Sequence, residues 1–284
     1  MKNIILINFF LLFIININSS LAGMPNIPKG IDVNNYCDKK GGSYGHVIIV
    51  IDLTTELKEA RIQFIKDQVF SNEFYSKYTP FTKFSYFLIN HKEPTKQKFL
   101  FSKCRPKTGN ANSTTFKEKA TLFENTQVLK TFSQRFFRDA KKLSNEIFLD
   151  KKDSRYSYIY ETIAYIFQNP KSDFKTNHPR RDLIVVSDLM QNTKRLSFYR
   201  ACNAASENAA CPSFNDFMKN LSDKDYLIAT SPNGLKINLQ MIYLNNRNET
   251  NKALDKSLNQ MWVDYFKKQE FTVLPTIRQV DIEQ

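Results

Sequence analysis

Apolar residues are spaced along this chain in two alternating ways, as short unbroken runs and as stripes that return every third or fourth position. The run from His46 to Ile51 has the continuous apolar character of a strand covered on both faces. Leu57, Ala60, Phe64, Ile65 and Val69 then recur at helical spacing. FSYFLIN, from Phe84 to Asn90, predicts a second strand, and Phe99 to Phe101 form a further apolar patch. After a polar stretch from Arg105 to Ser113, Thr115-Phe116-Lys117-Glu118 matches a capping box that opens a helical region. Val128, Phe132, Phe136 and Leu143 continue its stripe, and Ile159, Ile163, Ile166 and Phe167 imply another helix. DLIVVSD is a second unbroken strand, reached through a polar loop from Lys171 to Arg181. A helical stretch is expected from Phe214 to Leu221. LKINLQMIYL alternates Leu235, Ile237, Leu239, Met241 and Tyr243 with Lys236, Asn238 and Gln240, the pattern of an edge strand or one with a solvated face. Leu254, Leu258, Met261, Trp262, Tyr265 and Phe266 make a closing amphipathic helix, which places Trp262 in the core.

Alternating strands and helices with hydrophobic strands predict an α/β fold, a doubly wound, mainly parallel sheet with helices on both faces. Ahead of it, residues 1–22 read as a secretory signal: Lys2, an apolar run from Ile4 to Ile17, then Ser20-Leu21-Ala22, with cleavage expected after Ala22. The run is shorter than the roughly 20 apolar residues a membrane span needs. About 260 residues then remain, enough for one large core. The expected division is an irregular arm over 23–44, a single domain over 45–272 and a tail over 273–284, in an exported, periplasmic or secreted protein without a membrane span after cleavage.

Export changes how the four cysteines are read, because an oxidising compartment favours two disulfides. Cys202 and Cys211 bracket the loop NAASENAA, so their pairing would staple it locally and leave Cys37 to pair with Cys104; the other two connectivities stay open. Zinc is disfavoured, since there is no Cys-x-x-Cys and His46, His91 and His178 are far apart. The net charge of +13 permits anionic partners but selects none, because the lysines are scattered.

The chemistry concentrates where the two unbroken strands stop. Each ends on an aspartate, Asp52 and Asp188, and parallel strands bring such ends to one edge of a sheet. Two carboxylates with neighbouring hydroxyls make an oxygen-rich site suited to a hard divalent cation. The plainer reading is that Asp52 and Thr54 cap the following helix while Asp188 accepts from loop amides.

Asp52-Leu53-Thr54-Thr55-Glu56 resembles the first motif of the von Willebrand factor A domain family, in which an aspartate and two hydroxyl residues help bind a metal ion. SYIYETIAYI, from Ser157, resembles the stretch that supplies a third hydroxyl from the start of a helix, and VVSDLMQN resembles the fourth-strand motif with Asp188 as the second aspartate. CRP at Cys104 and SFYR at Ser197 add a likeness to a group of exported bacterial proteins with A-like domains. The resemblance runs over residues 45 to 272 and implies Rossmann-type topology and a Mg²⁺ or Mn²⁺ site formed by Asp52, Thr54, Glu56, Ser157 and Asp188. It further implies docking of a protein partner in the cell envelope, whose acidic side chain completes the metal coordination. The chain departs from the family at Glu56, where a serine is usual, at Ser157, where a threonine is usual, and at Leu189, where glycine is usual.

Enzymatic readings find less support. A phosphotransfer aspartate normally has a second acid two positions on, and Thr54 stands there. Gly-x-Ser-x-Gly is absent. Metal-assisted hydrolysis would need Asp52, Glu56 and Asp188 together on ions. Nucleic-acid binding is disfavoured because most aromatics fall on core stripes; Tyr156, Tyr158 and Tyr160 beside Arg155 are the exception, with Tyr156 and Tyr160 expected on one packed helix face.

Overall fold

The computed structural model of the chain describes residues 30–39, 43–90, 92–110, 120, 124–149, 154–169, 172, 174, 178–194, 196–205, 209–216, 237–244 and 252–278. The expected leader and the capping box at 115–118 lie outside these residues, as does most of the helix expected over 214–221, of which 214–216 are helical. In chain order the elements are β1 (Gly45–Asp52), α1 (Glu59–Val69), α2 (Asn72–Ser76), β2 (Thr82–Ile89) and β3 (Leu100–Cys104). There follow α3 (Thr126–Glu146), α4 (Ile159–Gln168), β4 (Arg181–Ser187), α5 (Phe198–Ala201), β5 (Asn238–Tyr243), α6 (Lys252–Lys268), β6 (Thr272–Val273) and β7 (Ile277–Arg278).

The strands form one sheet in the order β3-β2-β1-β4-β5-β6, with β7 also paired to β5. β1 lies between β2 and β4 and is parallel to both, whereas β3 runs antiparallel to β2. The unbroken apolar run of β1 is explained by two covered faces. Ile48 and Val50 join Leu183, Val185, Leu239 and Met241 under α4 and α6, while Val47, Ile49 and Ile51 join Phe84, Tyr86, Ile184 and Val186 under α1, α2 and α3. The doubly wound α/β arrangement is thus present, and Trp262 is wholly buried in the first of these cores.

Several local expectations change. Ile62, Ile65 and Val69 form the buried stripe of α1, and Ala60 is exposed. β5 is an interior strand, because the short β6 and β7 pair along its outer side. Its polar positions bond to both sides: Asn238 donates to Asp182 of β4 at 2.8 Å, and Gln240 donates to the Pro275 carbonyl between β6 and β7. β7 carries the sheet past the boundary expected at 272. The arm is irregular but packed, since Tyr36 lies against Phe132 and Phe136, and Cys37 is bonded to Cys104 at the end of β3. Tyr156 precedes α4, so it does not share a helix face with Tyr160, which stacks on Trp262 at 4.3 Å.

Candidate functional site

From β1 the chain crosses to β2 on one side and reaches β4 on the other, so the carboxyl ends of β1 and β4 flank the point where the winding reverses. Ligands of open α/β sheets bind in the crevice at such a point. Ile51 and Val186 are register partners, which puts Asp52 and Ser187 level one residue further on. The Ser187 hydroxyl donates to Asp52 Oδ2 at 2.8 Å, and the Ser157 hydroxyl donates to the same oxygen at 2.9 Å. Asp52 Oδ1 accepts from the Thr54 amide at 3.0 Å and the Thr54 hydroxyl at 2.6 Å. Four donors fill roughly the four lone-pair directions a carboxylate offers.

Each donor has a local reason for its place. Thr54 folds back on Asp52 in an Asx-type turn as the chain leaves β1. Ser157 is held two residues before α4 by paired bonds with Asn192, its amide donating at 2.8 Å and its carbonyl accepting at 3.0 Å. Ser187 also accepts from the Leu189 amide at 2.8 Å. Leu189 is left-handed, with φ 60°, and its carbonyl accepts from Trp262 Nε1 at 2.9 Å. Gln191, fully buried, accepts from the Tyr160 amide at 3.0 Å and donates to Glu161 at 2.8 Å, which ties the loop after β4 to the first turn of α4.

Asp52 is 3% exposed. Burial raises its pKa above the usual carboxylate value, opposed by the hydrogen bonds from Thr54, Ser187 and Ser157. Among the described residues no Lys, Arg or His forms an ion pair with it. His46 and His178 belong to the opposite edge, where His178 meets Ser43 just before β1.

Of the residues expected at this site, Asp52, Thr54 and Ser157 converge. Asp188 follows Ser187 directly, is buried, and accepts from the Met190 amide at 3.0 Å. Glu56 is exposed, and among the described residues no hydrogen bond joins it to the cluster. Asp52 and Thr54 do not cap the following helix, whose N-cap is Lys58 without a side-chain bond. Ser187 and Gln191 join the site beyond the expected residues. Ser187 has a signal in the sequence, being the lone hydroxyl in an otherwise apolar run; Gln191 has none, since its partners lie 30 and 31 positions away.

The donor set is entirely oxygen, as a hard divalent cation requires. To hold a cation here, the Thr54, Ser157 and Ser187 hydroxyls would have to turn their protons away from Asp52, freeing lone pairs on the carboxylate and on themselves. Among the described residues no group of three or more His, Cys, Asp or Glu is arranged to hold a metal. Any such ion would therefore rest largely on hydroxyls.

Cys202 pairs with Cys211 and Cys37 with Cys104. The Cys211 amide donates to Ser257 on α6 at 2.8 Å, which anchors that loop. No helix among the described residues is long and apolar enough to cross a membrane.

These features define an α/β protein with a carboxylate–hydroxyl cluster at its switch point. No protein-family model matches the chain, and no curated protein matches it. Among solved structures it is similar to an aerotolerance-related membrane protein from Bacteroides fragilis NCTC 9343, in a form with multiple mutations to serines. That likeness has 11% identity and a TM-score of 0.32 over 83% of this chain and 92% of the other. A likeness of that degree decides neither fold nor function, and the fold assignment rests on the strand order alone.

Proposed function

We propose that the protein is an exported binding module of the A-like type that docks a protein partner of the cell envelope at the carboxyl edge of its sheet. One observation carries this reading: hydroxyls from three separate stretches of the chain, after β1, before α4 and at the end of β4, converge on the buried Asp52 at the switch point. Such an assembly leaves both carboxylate oxygens engaged, which suits a fixed recognition site better than a nucleophile needing a free oxygen. Two disulfides agree with an oxidising compartment.

A divalent cation, Mg²⁺ or Mn²⁺, belongs to the proposal, held by Asp52, Thr54, Ser157, Ser187 and Asp188, with Glu56 outside. Its support is electrostatic: among the described residues no Lys, Arg or His forms an ion pair with the buried Asp52, and a bound cation would offset its desolvation. The ion would supply an open coordination position for a partner's carboxylate.

The test combines stability with docking. A cation at 100 times its dissociation constant should stabilise the folded chain by about 2.7 kcal/mol, and Ser157→Ala with Ser187→Ala should lose most of that gain. A photo-crosslinker at exposed Glu56 should capture an envelope protein, while one at Lys267 should not. Capture that survives EDTA but is lost in the serine variants would retain the docking edge and remove the metal. Failure to capture at position 56 would sink the docking reading.

A further inference from the structure

The outward side of α3 carries a row of basic and amide side chains. Its inward stripe, Val128, Leu129, Phe132, Phe136 and Ala140, is buried, and the opposite side exposes Lys130, Gln134, Arg138, Lys141, Lys142 and Asn145. Lys130, Gln134, Arg138, Lys141 and Asn145 follow one another at intervals of four, four, three and four, so they form one row along the helix. Lys142 adjoins that row, and no acidic residue lies in it.

The two acids of α3 flank the row and are engaged. Asp139 is half-buried, and its Oδ2 accepts from Lys103 at 2.5 Å, leaving Arg138 only a 3.9 Å approach to the other oxygen. Glu146 meets Lys142 at 3.7 Å, an exposed i,i+4 pair of small worth. Arg138 and Lys142 remain 75% and 74% exposed. Lys66 of α1 extends the basic area by reaching Asn145 at 3.4 Å. Lys130 to Lys142 thus present cations along about 18 Å of helix. Just beyond its end stands Leu149, 81% exposed.

We propose that this face of α3 docks on an anionic lipid surface, independently of the site at Asp52. A straight basic row matches the planar negative potential of acidic headgroups, where each Lys or Arg strengthens binding about fivefold. Leu149 supplies an apolar group at the level of the acyl boundary. The aromatics of α3 argue against single-stranded nucleic acid, since Phe132 and Phe136 are buried and offer no stacking surface.

The chain from Gly23, which retains every described residue and all four cysteines, is oxidised and tested by co-sedimentation with phosphatidylcholine vesicles with and without phosphatidylglycerol. Binding is expected only to the acidic vesicles, falling as NaCl is raised. Replacing Lys130, Arg138, Lys141 and Lys142 by Gln should weaken it roughly 600-fold, from four fivefold steps. Replacing exposed Lys98, Lys194, Lys256 and Lys267 by Gln removes the same charge elsewhere and should leave most of the binding. Leu149→Ser should weaken it further without altering the melting temperature, and Asp52→Ala should have no effect on it. Equal losses in the two quadruple variants, or no binding to acidic vesicles, would overturn the proposal. So would binding of duplex DNA through the same four cations with no partition to vesicles.

Discussion

Asp52 is buried and accepts from four donors, so its replacement separates the roles of shape and charge. Asp52→Ala leaves the hydroxyls of Thr54, Ser157 and Ser187 facing a buried gap and should cost about 1–3 kcal/mol. Asp52→Asn keeps an acceptor oxygen in place and removes a desolvated charge, so in EDTA it should cost clearly less. Urea unfolding of both variants checks this. Equal costs would mean that the charge itself is required by the fold, contrary to the burial that raises its pKa. Asp52 and Asp188 are legible as candidates because charged residues interrupt apolar runs; Ser187 stands out only as the lone hydroxyl of its run, and its bond to Asp52 depends on the register of β4 against β1.

At the scale of elements, the two disulfides act on different parts of the chain. Cys37–Cys104 spans 67 positions and ties the N-terminal arm to the edge strand β3, whereas Cys202–Cys211 spans 9 and closes one loop against α6. Chain entropy then assigns about 4 kcal/mol to the first and about 2.5 kcal/mol to the second. Cys37→Ser with Cys104→Ser should lower the urea midpoint more than Cys202→Ser with Cys211→Ser, and the reverse order would show that α6 depends on its loop more than β3 on the arm. The arm itself illustrates a limit of pattern reading. Tyr36 packs on Phe132 although its own segment has no periodicity, because a covalent tie and an aromatic contact replace regular structure.

Across the whole molecule, β1 contributes to both cores, with Ile48 and Val50 on one side and Val47, Ile49 and Ile51 on the other. Neither face can be exposed without loosening that strand, so unfolding is expected to be a single cooperative transition. Trp262, the only tryptophan, reports the face under α6, while far-UV circular dichroism reports all elements. The two urea curves should coincide. An earlier fluorescence transition would mean that α6 and its core open separately from the rest.

What the sequence determined alone was the period of burial: continuous runs where both sides of a strand are covered, helical stripes where one side is, and cysteines in a number that suits pairing. These follow from local spacing and from the hydrophobic effect, which acts wherever apolar residues recur. Only the tertiary structure decided which polar groups meet. It set β5 in the interior by pairing β6 and β7 beside it, left Glu56 exposed, and brought Ser157 and Ser187 to Asp52 from 105 and 135 positions away. Hydrogen bonds are short and directional, so their partners are chosen by register and crossover geometry, which no local pattern records.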